Sequence, residues 1–194
     1  MQKKKYVLWA VIGIVVLLII FAITTYNSLI GKEEKVSEKW SEVQNTYQRR
    51  IDLVPNLVTV VKGVSEFEQS TLEKIATARN NAIAARSNEI TAANYNQQQV
   101  TQDSLAAAAN RLIVVIEKYP VLKGTDAYSG LQTQLVGTER RIQVARNDFN
   151  EVVADYNNSV RRFPASLFAG MFGFKTKEGF EAVAGSEKAV EIKF

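Results

Sequence analysis

YSGLQTQLVGTERRIQVARNDFNEVVADY, residues 128–156, carries the most regular pattern in this chain. Apolar or small side chains recur there at alternating intervals of three and four residues over four heptads, at Tyr128, Leu131, Leu135, Thr138, Ile142, Ala145, Phe149, Val152 and Tyr156. A repeat that averages 3.5 residues keeps all of them on one helical face and makes a left-handed seam with a partner helix. The pattern therefore predicts a long helix that packs within the chain or against a second copy of it.

Two further apolar stripes lie earlier in the chain, on either side of Pro55. The first covers residues 36–54 and the second covers residues 57–85, and both follow helical spacing. Because a helix must bury such a stripe against another element, these stretches predict neighbours for residues 128–156.

A third stripe covers residues 105–119 and ends at Pro120. The stretch before it, residues 94–104, is rich in Asn and Gln and fits either a helix exposed on most sides or a loop. Apart from residues 189–194, where a short strand would fit, no window alternates as a half-buried strand does. The predicted fold class is therefore all-α.

Pro55 sets the predicted number of helices. An interior proline removes a backbone N–H and costs about 3 kcal/mol, so we expect a break near residues 52–55. Short connections at 86–91 and 120–126 make successive helices antiparallel. These features predict an up-and-down four-helix bundle over residues 27–163. In the alternative, one kinked helix continues through the proline and only three helices result.

The N-terminus has the composition of a membrane anchor. Three lysines, Lys3–Lys5, precede an unbroken apolar run over residues 7–23, and the stretch from Tyr6 to Tyr26 spans about 32 Å as a helix. That length matches a hydrocarbon core of about 30 Å. A cleaved signal peptide is the alternative, but the run is long for that role and no A-x-A site follows. We expect residues 1–26 to be a single-pass anchor.

The charge pattern predicts the orientation of this anchor. The positive-inside rule places Lys3–Lys5 in the cytoplasm and the bundle outside. The same three lysines supply most of the net charge of +4. Because the rest of the chain is close to neutral, a nucleic-acid partner is not expected.

The chain contains no histidine and no cysteine, and this excludes several classes of enzyme. Ser-His-Asp and Cys-His sites, the usual zinc sites and haem ligation by His or Cys are all impossible. Neither a cofactor nor a metal is expected. The favoured function is a non-enzymatic interaction or scaffold module whose partners are the lipid bilayer and another protein or a second copy. The alternative is a His-free hydrolase or glycan-binding enzyme of the cell envelope.

The motif QRRIDLVPNLV at residues 48–58, followed by VKG at 61–63, resembles the signature of the LemA family. Further matches are Ala78-Arg79, Thr138-Glu139, Ala145-Arg146, Phe149-Asn150, Tyr156-Asn157, Phe163-Pro164 and Phe172-Gly173-Phe174. The resemblance runs from about residue 4 to residue 190 and implies a bacterial membrane protein with one N-terminal helix and an antiparallel four-helix bundle. It implies no particular reaction.

The central motif contains a candidate docking corner for a partner, formed by Arg49, Arg50, Asp52 and Asn56. These polar residues lie beside the predicted helix break, at the end of the bundle farthest from the membrane. In the structural alternative, Asp52 caps the second helix and an arginine pairs with a carboxylate or with the last carbonyls of the first helix.

The Phe- and Gly-rich segment with its tail, residues 164–194, follows the bundle. In a four-helix bundle the last helix returns towards the membrane, so a membrane-proximal contact is predicted there, formed by Arg161, Arg162, Phe168, Phe172 and Phe174. The arginines would face lipid phosphates. In the alternative, the segment folds back and caps the open end of the bundle.

Overall fold

The structure is a computed structural model that describes residues 2–62, 69–87, 89–116, 119 and 125–180. These residues form five α-helices and no strand, so the all-α prediction is confirmed. The strand expected at 189–194 lies outside the described residues. The helices are α1 (Gln2–Lys62), α2 (Gln69–Ala84), α3 (Ala92–Ile116), α4 (Asp126–Arg161) and α5 (Ala165–Met171).

The chain divides into two compact units. The two-helix unit, named for its two long helices, contains residues 1–46 and 143–177 and also includes the short helix α5. The four-helix unit contains residues 47–142 and 178–194. Helices α1 and α4 each contribute residues to both units.

The four-helix unit is an antiparallel bundle in which every helix supplies part of one apolar core. Its buried side chains are Ile51, Val54 and Leu57 of α1, Ile75, Ala78 and Ala82 of α2, Leu105, Ala109, Leu112 and Ile116 of α3, and Tyr128 and Leu135 of α4. The four-helix prediction is thus confirmed, and each predicted stripe contributes to the core.

The Asn- and Gln-rich stretch 94–104 is helical, and α3 begins before it at Ala92. Several of its polar side chains are buried because they have hydrogen-bond partners inside the unit. The spacing of apolar residues in the sequence does not reveal such partners. Gln98 Nε2 donates to the carbonyl of Ser87 at 3.0 Å, which ties α3 to the connection after α2. Tyr95 is buried beside Phe180 with ring centroids 5.4 Å apart, and burial raises the pKa of Tyr95 to about 12.

The two-helix unit packs the middle of α1 against the C-terminal half of α4 in antiparallel register. Lys32 pairs with Asp155 at 2.7 Å, and Lys39 pairs with Asp148 at 3.4 Å. Seven residues forward on α1 therefore correspond to seven residues back on α4. Next to the second pair, the rings of Trp40 and Phe149 pack with centroids 5.6 Å apart.

The buried face of α4 departs from the heptad pattern near its end. Val153 is 3% exposed, whereas Val152, which the strict 3.5-residue repeat assigned to the face, is only half-buried. An α-helix has 3.6 residues per turn, so the contacting face drifts forward along a long helix.

The N-terminal third of α1 is exposed along the whole apolar run. Its most apolar 18-residue window has none of its residues buried within the protein. Among the described helices it is the one with the length and composition to cross a membrane.

The predicted break at residues 52–55 is wrong, because α1 continues through Pro55 to Lys62. A proline at 55 leaves the carbonyl of Ile51 without its usual N–H donor. Arg79 of α2 fills this vacancy, since its Nε donates to that carbonyl at 3.3 Å. The helix therefore continues to Lys62, and α2 begins at Gln69.

Replacing Arg79 with methionine should lower the free energy of unfolding by about 1–2 kcal/mol, because the Ile51 carbonyl loses its donor. In a Pro55→Ala background, residue 55 regains an N–H, so the same replacement should cost less than half as much. The four proteins can be compared by urea unfolding of the full chain in mild detergent, followed by circular dichroism. Equal losses in both backgrounds would contradict this account of Arg79.

Candidate functional site

The predicted docking corner lies within the continuous helix α1 and not at a helix junction. Arg49, Asp52 and Asn56 are exposed. Asp52 accepts a hydrogen bond from Gln48 Nε2 at 2.7 Å, which is a contact between successive turns. Asp52 therefore does not cap a second helix, and that part of the structural alternative is wrong because no helix begins there.

Arg50 points the opposite way, into the four-helix unit, where it is only 1% exposed. Its Nη1 donates to the backbone carbonyl of Gln102 at 3.0 Å and to Gln102 Oε1 at 3.2 Å. Its Nη2 donates to Glu139 Oε2 in a salt bridge. One guanidinium thus connects α1 with α3 and with α4.

A buried guanidinium is costly unless its charge and its donors are compensated. Glu139 supplies the opposite charge, and its side chain is 41% exposed, so its other face remains hydrated. Gln102 is 2% exposed and supplies two acceptors from one residue. Among the described residues no acceptor faces Arg50 Nε. The arrangement is a structural cross-link, and it leaves Arg49, Asp52 and Asn56 as the accessible part of the corner.

The predicted membrane-proximal phenylalanines pack against α1 in the two-helix unit. Phe168 meets Phe21 with ring centroids 5.5 Å apart, and Tyr26 meets Phe172 at 5.2 Å and Phe174 at 5.7 Å. We call these five residues the aromatic clasp. Offset and edge-to-face pairs of this kind are each favourable by about 0.5–1.5 kcal/mol beyond area burial.

Gly173 makes the double contact with Tyr26 geometrically feasible. Its φ is +82°, in the region that residues with a Cβ rarely adopt. The chain turns there, so the rings on both sides of the glycine reach the same tyrosine. Phe174 N–H also donates to the carbonyl of Ala169 at 2.9 Å, which closes the turn after α5.

Beyond the clasp, residues 175–177 run back along α4. Tyr156 Oη donates to the carbonyl of Lys175 at 2.9 Å, and burial, followed by the charge of Glu33, raises the pKa of Tyr156. The side-chain amide of Asn157 binds both backbone groups of Lys177, at 2.6 Å and 2.8 Å. Lys177 Nζ then pairs with Glu33 Oε1 at 2.8 Å, so this segment is held by both helices.

The most exposed apolar side chains near α5 are residues that sequence reasoning missed. Phe163, Leu167 and Met171 are 76%, 65% and 70% exposed. Their spacing of four residues indicates one face of a helix and could have identified them. The prediction instead followed the Phe- and Gly-rich composition and named Phe168, Phe172 and Phe174. Arg161 and Arg162 are also exposed. The prediction therefore named the three rings that pack against α1 and left out the more exposed apolar row.

No group of three or more His, Cys, Asp or Glu side chains converges as a metal site among the residues that the structure describes. The geometry of both candidate regions consists of hydrogen bonds, ion pairs and ring contacts.

Arg50→Ala should lower the free energy of unfolding by about 2–4 kcal/mol, because it removes three hydrogen bonds and leaves a buried amide oxygen without a donor. Arg49→Ala, one residue away and exposed, is the matched control and should change stability by less than about 0.5 kcal/mol. Thermal and urea unfolding of the full chain check both values. Similar effects of the two substitutions would show that the orientation of Arg50 is not as described.

Comparison with known proteins identifies the family. Magnetosome proteins MamQ 2 and MamQ 1 of Paramagnetospirillum magneticum are each 27% identical over 177 residues, which cover 80% of this chain and 64% of theirs. The chain thus spans less than two thirds of the length of these relatives. Magnetosome protein MamQ of Magnetospirillum gryphiswaldense is 27% identical over 194 residues, 87% of this chain and 71% of that protein. The profile of the LemA family matches residues 39–194. This match covers most of the chain, so the protein belongs to the LemA family.

Proposed function

We propose that the protein is a non-catalytic interaction module held at the surface of the bacterial cell membrane by a single helix. The observation that supports this proposal is the continuity of α1. An apolar segment with no buried residues passes without interruption into the polar part of the same helix. An anchor joined in this way holds the module at the membrane.

The accessible part of the docking corner supplies the partner surface in this proposal. Arg49, Asp52, Asn56 and Thr59 are all exposed and follow helical spacing, so they form one polar stripe along α1. The stripe carries one basic and one acidic side chain, which suits a protein partner or a second copy of the chain better than a polyanion. The envelope hydrolase considered above gains no support from any contact among the described residues.

Photo-crosslinking in intact cells tests the partner surface. A photoreactive residue in place of Arg49 should give a discrete adduct, whose mass distinguishes a second copy from another protein. The control places the same probe at Asn110, an exposed residue of α3. Arg49→Glu should abolish any complex isolated by that adduct. The same adducts from both positions would contradict docking at the stripe.

The proposed orientation places the N-terminus in the cytoplasm and the bundle outside, and Arg161, Arg162, Phe168, Phe172 and Phe174 near the outer lipid surface. Single-cysteine labelling tests it cleanly because the chain has no cysteine of its own. Glu34→Cys should react with a membrane-impermeant maleimide in intact spheroplasts, and Gln2→Cys should react only after lysis. The reverse pattern would overturn the orientation.

A further inference from the structure

A cleft of about 440 Å³ lies in the two-helix unit, where α1 passes from its apolar to its polar part. Its walls are α1 on one side and the end of α4 with the turn towards α5 on the other. The polar groups that line it are four hydroxyls, on Thr24, Thr25, Ser28 and Ser159, and two cations, on Lys32 and Arg162. Neither the docking corner nor the aromatic clasp uses this space.

The position of the cleft relative to the bilayer follows from the helix register and from the end of the apolar run. Lys32 lies opposite Asp155, so Thr25, seven residues earlier on α1, lies opposite Arg162, seven residues later. Both line the cleft. The apolar run ends at Ile23, and Ser28 is five residues farther on, or roughly 7.5 Å along the helix. The headgroup layer on each side of a bilayer is about 5–8 Å thick, so the cleft matches this layer.

The charge of the lining favours an anion. Lys32 Nζ is held by both oxygens of Asp155, at 2.7 Å and 2.8 Å. Arg162 is exposed, and no salt bridge to a described residue occupies its guanidinium. A guanidinium is a planar, forked donor that matches the oxygens of a phosphate.

The hydroxyls add a second requirement. Thr24 Oγ1 donates to the carbonyl of Phe21 at 2.9 Å, and Ser159 Oγ donates to the carbonyl of Asp155 at 3.0 Å. Their protons are engaged, so these oxygens offer lone pairs only. A ligand that donates hydrogen bonds from hydroxyl groups of its own would complement them.

The exposed row Phe163, Leu167 and Met171 gives the same location an apolar flank, and Phe163 itself lines the cleft. A ligand with a phosphate, hydroxyl donors and acyl chains would thus meet Arg162, the engaged hydroxyls and this apolar row.

We propose that the cleft binds the headgroup of an anionic phospholipid that carries hydroxyl donors, of which phosphatidylglycerol is the simplest. The phosphate lies at Arg162, and the glycerol hydroxyls donate to Thr24 and Ser159. The inference rests on the proposed function, because the cleft lies at headgroup depth only if α1 spans the bilayer.

Lipid binding to the full chain in a neutral detergent tests the site, because the micelle itself adds no charged surface that would attract an anionic lipid. Native mass spectrometry should detect one bound phosphatidylglycerol, and Arg162→Gln should weaken its binding by roughly tenfold or more. Arg141→Gln is the matched control, because it removes the same charge from an exposed residue of α4 that does not line the cleft. It should change binding by less than about twofold. Ser28→Phe fills the cleft with both cations in place and should also reduce binding, with an unchanged circular dichroism spectrum.

Four comparisons decide the outcome. Phosphatidylcholine, phosphatidylserine and inorganic phosphate should each bind more weakly than phosphatidylglycerol. Equal binding of phosphatidylcholine would show that the site does not recognise the net charge of the lipid. Equal binding of phosphatidylserine would show that it does not recognise the hydroxyl donors of the headgroup. Equal binding of inorganic phosphate would show an anion site and no lipid site. Equal losses in Arg141→Gln and Arg162→Gln would also overturn the proposal. If the cysteine labels show that α1 spans the membrane and lipid binding is still absent, the lipid site is wrong and the proposed function is unaffected.

Discussion

The bundle depends on the need to compensate one charge that α1 carries into its interior. The Arg50 guanidinium carries a positive charge and several N–H donors in a fixed fork, so the helices around it must bring acceptors to those donors. Gln102 and Glu139 do this from α3 and α4. Apolar contacts between Leu, Ile and Ala tolerate small slips along a helix, whereas a planar donor with three fixed acceptors does not. The guanidinium therefore selects one register among several that the core alone would accept.

The next residue, Ile51, connects α1 to the remaining helix, α2. Pro55 leaves the carbonyl of Ile51 in need of a donor, and Arg79 of α2 provides it. Arg50 and Ile51 are consecutive, yet between them they bind α2, α3 and α4. The stretch that resembles a family signature thus has a concrete structural task, which is to make one turn of α1 the meeting point of the whole bundle.

The sequence predicted the helices wherever an apolar stripe was long and regular, as in residues 128–156 and 36–54. It failed at Pro55 because the cost of an interior proline depends on whether a distant side chain can reach the unpaired carbonyl, and Arg79 is 24 residues away in the chain. It left residues 94–104 undecided because their burial relies on polar partners. It left Arg50 open between a docking surface and a structural pairing with a carboxylate, since only the fold shows which of two adjacent arginines turns inward. For the C-terminal segment, composition identified the region, but the division into rings that face α1 and side chains that face outward required the structure.

The aromatic clasp joins residues that are far apart in the order of synthesis. Phe21 and Tyr26 are synthesised well before Phe168, Phe172 and Phe174. At roughly 5–20 residues per second, about 7–30 seconds separate Phe21 from Phe168 during translation. In the proposed topology, the membrane segment is therefore inserted before the three phenylalanines that pack against it have been synthesised. The aromatic clasp therefore forms late, on a helix that is already in lipid. Its loss should leave membrane insertion intact and should weaken only the packing of the C-terminal segment against α1.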